Sequence, residues 1–126
     1  MGKKVAISCG PIPARLDSVK FITNRFKGGL AFKTSAYLAN KGHGVTIVAW
    51  KFTAIPADIR ELAKDIVQVS DVFEYYDWFV AHAKDYDAFV MAAAVANLTP
   101  ANPYRGKFPS HDYKPGDEFD IKFMIA

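Results

Sequence analysis

The sequence predicts an α/β fold, a Rossmann-like three-layer arrangement with a mostly parallel sheet and helices on its faces. Three observations predict it. Apolar runs of strand length recur along the chain, at Val5–Cys9, Val45–Trp50 and Asp87–Val95. Helical patterns lie between them. The order strand, helix, strand, helix, strand is the pattern of parallel strands joined by right-handed crossovers.

Each element has a local reason. Val5–Cys9 is a short, mostly apolar run closed by Gly10-Pro11, which reads as a buried strand. A long segment with Pro11 and Pro13 then runs through Arg15, Asp17, Lys20, Asn24, Arg25 and Lys27 to Gly28-Gly29. Loops of that length are uncommon inside compact domains and are often functional. Leu30–Lys41 carries Leu30, Phe32, Ala36, Tyr37 and Leu38 at helical spacing, and Gly42 is a C-terminal stop. Val45–Trp50 is a second buried strand, Pro56–Lys64 a short helix entered through a proline, and Ile66–Val69 a short strand. Asp71 is placed to cap an aromatic-rich helix over 72–84. Asn97–Tyr113, with Pro100, Pro103, Gly106 and Pro109, reads as a loop. Phe119–Phe123 alternates apolar and polar residues like a half-exposed strand, and its edge near Ile121 is open to pairing.

Composition narrows the function. The chain has 126 residues and a net charge of +3, which suits a phosphate-bearing partner and is too small to argue for nucleic acid. Its one cysteine, Cys9, cannot form an internal disulfide, so a reducing, cytoplasmic setting is expected. One cysteine and three scattered histidines give no zinc spacing, and no metal ligands are assigned. The N-terminal apolar run is too short for a signal peptide and Ala88–Ala96 too short to span a bilayer, so no membrane partner is expected.

In open parallel sheets ligands sit beyond the carboxyl ends of the strands, here the loops after Cys9, Trp50 and Val95. Gly28-Gly29 directly precedes a helix, with Arg25 and Lys27 beside it. Free amides and the helix dipole there favour a phosphate, although the glycines also serve simply to turn the chain. A dinucleotide site of the nicotinamide kind is disfavoured. Gly10-Pro11-Ile12-Pro13 lacks the G-x-G-x-x-G turn, and Trp50-Lys51 offers no carboxylate to a ribose. The P-loop pattern is absent as well.

Gly10-Pro11, Arg15, Asp17, the run Val19-Lys20-Phe21-Ile22-Thr23-Asn24-Arg25, and Gly28 form one motif. Ala92-Ala93-Ala94-Val95-Ala96-Asn97 and Gly106-Lys107-Phe108 form a second and a third. In that order they resemble the signature of the phosphopantothenoylcysteine synthetase family, the synthetase domain of the DNA/pantothenate metabolism flavoprotein. The resemblance spans nearly the whole chain. It implies a single synthetase-like, nucleotide-binding domain over residues 1–126 with a C-terminal β-hairpin extension near Asp117–Ile121. It implies a ligase of coenzyme A biosynthesis, in which CTP or ATP with Mg2+ activates the carboxylate of 4′-phosphopantothenate and cysteine displaces the nucleotide. It also implies a homodimer.

Residue by residue, Asn24 matches the family asparagine that hydrogen-bonds the activated acyl group, and Lys107 the lysine near the triphosphate. These are the catalytic candidates. Gly10, Lys20, Arg25, Lys27, Gly28, Gly29, Ala93, Ala94 and Asn97 are the binding candidates. Lys20 stands where the bacterial pattern has arginine, keeping the charge without the bidentate fork. The family's Ser-Ser pair is Phe26-Lys27 here, and its nucleotide-recognising aspartate is Asn97. The match stops at Ala126, where family members continue with a helix and another strand. That leaves a truncated or a compact form, and a second reading, in which a degenerate relative binds nucleotide or phosphopantothenate without chemistry. Elsewhere Cys9 reads as a buried small hydrophobe. His43, His82 and the His111-Asp112 pair read as structural or solvated, and the Phe73–Phe79 aromatics as core or dimer contact.

Overall fold

The computed structural model describes residues 2–126. In chain order the elements are β1 (Lys4–Cys9), β2 (Pro11–Ile12), β3 (Ala14–Arg15), β4 (Phe21–Ile22), α1 (Gly29–Asn40), β5 (Gly44–Trp50) and α2 (Ala57–Leu62). They continue with β6 (Asp65–Val69), α3 (Val72–His82), β7 (Ala88–Met91), β8 (Ala94–Val95), β9 (Leu98–Pro100), a 3-10 turn at Ser110–Asp112, and β10 (Phe123–Ile125).

The main sheet has the order β6-β5-β1-β7 and is parallel throughout. β1 lies inside it, with Val5 beside Val45 on one flank and Ala88 on the other. Because side chains alternate across a strand, the apolar runs feed two cores. Val5, Ile7, Cys9, Val45, Ile47 and Ala49 pack on Ala31 and Phe32 of α1 and Ile59 of α2. Val48 and Val69 face the other way, against Val72 and Tyr75 of α3. The result is the expected three-layer sandwich. Gly42, at φ +90°, ends α1 as expected, and the Asp71 side chain accepts from the amides of Phe73 and Glu74 at 3.0 and 2.9 Å.

Cys9 lies wholly inside the first core. Burial pushes its thiol up to about 11, against a smaller opposing effect of the Ser35 hydroxyl, so it stays protonated and unreactive.

Three expectations need correction. The strand expected from Asp87 to Val95 breaks after Met91. Gly10, at φ +75°, turns the chain out of the main sheet into β2, and β8 follows it, pairing Pro11 with Ala94 and Ile12 with Val95. The loop expected over Asn97–Tyr113 contains β9, and the strand expected at Phe119–Phe123 begins only at Phe123. β9 and β10 pair antiparallel, Leu98 with Ile125 and Pro100 with Phe123, and form the C-terminal antiparallel hairpin. Phe119 instead packs on Phe108, ring centroids 4.3 Å apart and planes tilted by 53°, and neither it nor Ile121 lies in a strand. The long loop after Pro11 also contains a small hairpin, β3–β4, closed by pairs Ala14–Ile22 and Arg15–Phe21.

One close approach positions the ligand-facing end of the sheet. Gly28 has φ +89°, and a Cβ on it would stand 3.0 Å from the backbone nitrogen of Gly10 and 3.2 Å from the Phe32 ring. Only glycine tolerates that dihedral and that distance together. Gly28→Ala is expected to lower stability by more than about 1 kcal/mol in chemical denaturation. Asp71→Ala is expected to cost about 1 kcal/mol through the lost cap. Cys9 is expected to resist iodoacetamide at pH 8 in the native protein and to react once the chain is unfolded by urea. Rapid native alkylation would contradict its burial.

Candidate functional site

Gly10 and Gly28 bring the end of β1, the start of α1 and the segment after β7 around one recess of about 300 Å3. Its walls are Gly10, Phe26, Lys27, Gly28, Gly29, Leu30, Ala31 and Ala92–Ala94. α1 enters this recess uncapped. Among the described residues no side chain bonds its first amides, and its first turn holds no acidic residue. The opening amides of a twelve-residue helix therefore face the recess with their partial positive charge uncompensated. Lys27 adds a full charge to the wall. Ala93 and Ala94 leave the volume empty where longer side chains would fill it.

The recess is fixed from beneath by a buried polar link. Ser8 Oγ accepts from the Tyr75 hydroxyl at 3.0 Å and from the Ala93 amide at 3.2 Å. The Ala94 amide donates to the Gly10 carbonyl at 2.9 Å. Burial pushes the Tyr75 hydroxyl up, more than its bond to Ser8 brings it down, so it stays a neutral donor. Thr53, in the turn after β5, packs against Gly10; a Cβ on Gly10 would meet its Cγ2 at 3.3 Å.

Asn24 stands at the lip. Its Nδ2 donates to the Ala94 carbonyl at 3.1 Å, tying the β3–β4 side of the chain to the segment after β7. One N–H and the amide oxygen stay available to a ligand.

Six of the sequence-predicted residues thus converge on one recess: Gly10, Lys27, Gly28, Gly29, Ala93 and Ala94, with Asn24 at its edge. The others lie elsewhere. Arg25 is exposed beside the recess without lining it. Lys20 is bound at 3.3 Å to Asp17 and borders a separate cavity of about 320 Å3 with Tyr104, Phe108 and Phe119. Lys107 is exposed on the loop just before Phe108. Asn97 lines an apolar groove of about 520 Å3 against Phe73, Tyr76 and Ala126, on the α3 side.

Sequence reading named Asp17 only as part of a motif. In the structure it is buried at 1% exposure and carries four hydrogen bonds. Its carboxylate accepts from the amides of Phe108 (2.8 Å), Lys20 (2.6 Å) and Val19 (2.8 Å) and from Lys20 Nζ (3.3 Å). The Phe108 amide foremost, then the Lys20 amide, hold its carboxyl far below the usual carboxylate range, against the opposing effect of desolvation. A local turn at Asp-Ser-Val was readable; the partner at Phe108 was not.

No group of three or more His, Cys, Asp or Glu side chains converges on a metal position among the described residues. No described helix is long and apolar enough to cross a membrane.

The chain is similar to several known proteins. Residues 1–123 match the family described as the DNA/pantothenate metabolism flavoprotein C-terminal domain. The chain is 30% identical over 123 residues to the coenzyme A biosynthesis bifunctional protein CoaBC of Vibrio vulnificus, covering 97% of this chain and 29% of that protein. It is 32% identical over 102 residues to the CoaBC protein of Mycobacterium tuberculosis, covering 79% and 23%. It is thus similar to less than a third of each of these longer proteins. Among solved structures, the C-terminal domain of a CoaBC protein superposes with a TM-score of 0.72 at 22% identity, covering 100% of this chain and 55% of that one. A Cab2 mutant in complex with phosphopantothenate-cysteine gives 0.75 at 16% identity, covering 98% and 56%. The DNA/pantothenate metabolism flavoprotein of Streptococcus pneumoniae gives 0.75 at 18% identity, covering 99% and 61%. The ordered motifs, the parallel sheet with its glycine-walled recess and the family match over nearly the whole chain lead to one assignment: this chain belongs to the phosphopantothenoylcysteine synthetase family, that of the DNA/pantothenate metabolism flavoprotein C-terminal domain.

Proposed function

We propose that the chain takes part in joining 4′-phosphopantothenate to cysteine through an acyl-nucleotide, a step of coenzyme A biosynthesis. The observation that carries this reading is the Asn24 amide, held by the Ala94 carbonyl at the lip of a recess walled by glycine and alanine. The phosphopantothenate carboxylate attacks the α-phosphorus of CTP or ATP, and pyrophosphate leaves. The cysteine amine then attacks the acyl carbon, loses a proton, and the nucleoside monophosphate departs.

Each residue has a defined part in that scheme. Asn24 offers its free N–H to the acyl oxygen, where negative charge grows as the amine adds. The open amides at the start of α1, with Lys27, attract phosphate. Lys107 and Arg25, both exposed, supply cations for the triphosphate. Lys20 presents its ammonium beside Asp17. Gly10, Gly28, Gly29, Ala93 and Ala94 keep the volume open. With no carboxylate cluster among the described residues to cage it, Mg2+ enters as the counterion of the nucleotide phosphates.

Asn97 favours a second reading. It replaces the family's nucleotide-recognising aspartate and faces the α3 groove, away from the recess. A protein with only the recess binds a phosphorylated ligand without turning it over. The two readings divide on one assay, pyrophosphate release from CTP or ATP with phosphopantothenate, cysteine and Mg2+. Turnover supports the ligase. Calorimetric binding with no release under any nucleotide supports the binding module, and absence of both removes the two together.

If turnover is seen, Asn24→Ala is expected to lower kcat by about 100-fold with little change in KM. Lys27→Ala is expected to raise the nucleotide KM, with the difference shrinking as salt rises. The family's dimeric habit extends the reading to a homodimer, and a monomeric mass in sedimentation at micromolar concentration would remove that part.

A further inference from the structure

We propose that Asp17 is a positioning residue for Lys107: its carboxylate clamps the Gly106–Phe108 loop to the turn of the β3–β4 hairpin that leads to Asn24. This rests on the role given to Lys107 above and adds the residue that sets where that lysine stands.

The two carboxylate oxygens divide their work. Oδ1 accepts from the amides of Val19 and Lys20 and so closes the turn locally. Oδ2 reaches across the chain to the amide of Phe108 and to Lys20 Nζ. Two backbone bonds flank that reach: the Ser18 amide donates to the Gly106 carbonyl, and the Tyr104 amide to the Leu16 carbonyl, each at 2.9 Å. The peptide groups on both sides of Lys107 are therefore tied to the hairpin turn, one through the Gly106 carbonyl and the other through the Phe108 amide. The Phe108 ring adds a second anchor among Tyr104, Tyr113 and Phe119, at centroid distances of 5.4, 5.4 and 4.3 Å. The Lys107 side chain itself is exposed. A mobile cation thus stands on a fixed base, and the same hairpin leads directly into Asn24.

Burying a carboxylate is costly unless its lone pairs are filled, and this one is filled mainly by backbone donors that no side-chain substitution removes. The charged groups around it are Lys20 on its own turn and Asp120 and Lys122 across the cavity. Arg15, Lys51 and Asp71 lie on the shallower side. Because the carboxyl is held below its ordinary value, the clamp is intact at neutral pH. Its contribution to stability declines as pH falls below about 3.9, while in the folded chain the carboxylate itself stays ionised to well below that value.

Asp17→Asn separates the two oxygens' tasks. The amide oxygen can keep the place of Oδ1, while the NH2 group turns a donor toward the Phe108 amide and the Lys20 ammonium. Amide exchange of the full chain is expected to accelerate by about tenfold or more at Phe108, with Val19 and Lys20 still protected. Unchanged exchange at Phe108 would overturn the proposal. In turnover, Asp17→Asn is expected to lower kcat without raising the KM for phosphopantothenate. Its combination with Lys107→Ala is expected to be no slower than Lys107→Ala alone. Additive losses would show that Asp17 acts independently of Lys107 and would overturn the proposal. A wild type without turnover removes the ligase reading, while the exchange result still decides whether the clamp exists. Should Asp17→Asn fail to fold, the wild-type Phe108 amide proton is followed by NMR during acid titration. It is expected to move together with the Asp17 carboxyl resonance, well below the usual carboxylate range, and independent titration would refute the clamp.

Discussion

The backbone of Gly28 lies against the backbone of Gly10, so that a Cβ on it would stand only 3.0 Å from the Gly10 nitrogen, and much of the ligand-facing end depends on that contact. Gly10 sends the chain out of the main sheet, so that β2 draws β8 alongside it. Gly28 starts α1 where its first amides open onto the space between them. The two left-handed dihedrals produce the recess wall, the split between β7 and β8, and the entry of α1 together. A side chain at Gly28 would push α1 outward and separate the phosphate-attracting amides from Ala93 and Ala94.

Above that contact the site is assembled from distant segments by a few polar bonds. Ser8 joins β1, α3 and the Ala93 amide. Asn24 joins the hairpin to Ala94. Asp17 joins the hairpin to the loop of Lys107. Each of these side chains is partly or wholly withdrawn from water, and each ties together segments far apart in the sequence. The cations differ from them. Lys27, Arg25 and Lys107 are exposed, and their interactions depend on salt and on the ligand that arrives.

The fold was legible because it is written in periodicities. Val5–Cys9 and Val45–Trp50 are runs of mostly apolar residues, as strands buried on both faces require, and Gly42 and Asp71 mark helix ends by local chemistry. The recess was legible for a related reason: its glycines and alanines are consecutive in sequence and adjacent to an element boundary. What escaped was non-local. Nothing near Asp17 announces the Phe108 amide. The alternation at Phe119–Phe123 imitates a strand whose side chains in fact serve an aromatic cluster, while Leu98–Pro100 pairs despite its proline because that residue sits at the ladder's end. Asn97 follows an apolar run that appears continuous to Asn97, yet the break after Met91 carries it to the other face of the sheet.

The placement of β1 inside the main sheet also bears on how the chain reaches this state. Val5 must find Val45 on one side and Ala88 on the other, both far along the chain. Parallel pairs of this kind are closed only after long loops have been ordered, so folding is governed by non-local contacts and is slow relative to its helices. During synthesis β1 can join β5 as soon as α1 and its turn have emerged, but its second flank stays open until β7 arrives. For that interval a strand that ends buried from Val5 to Cys9 is an unprotected edge, a period in which a chaperone has the most to offer.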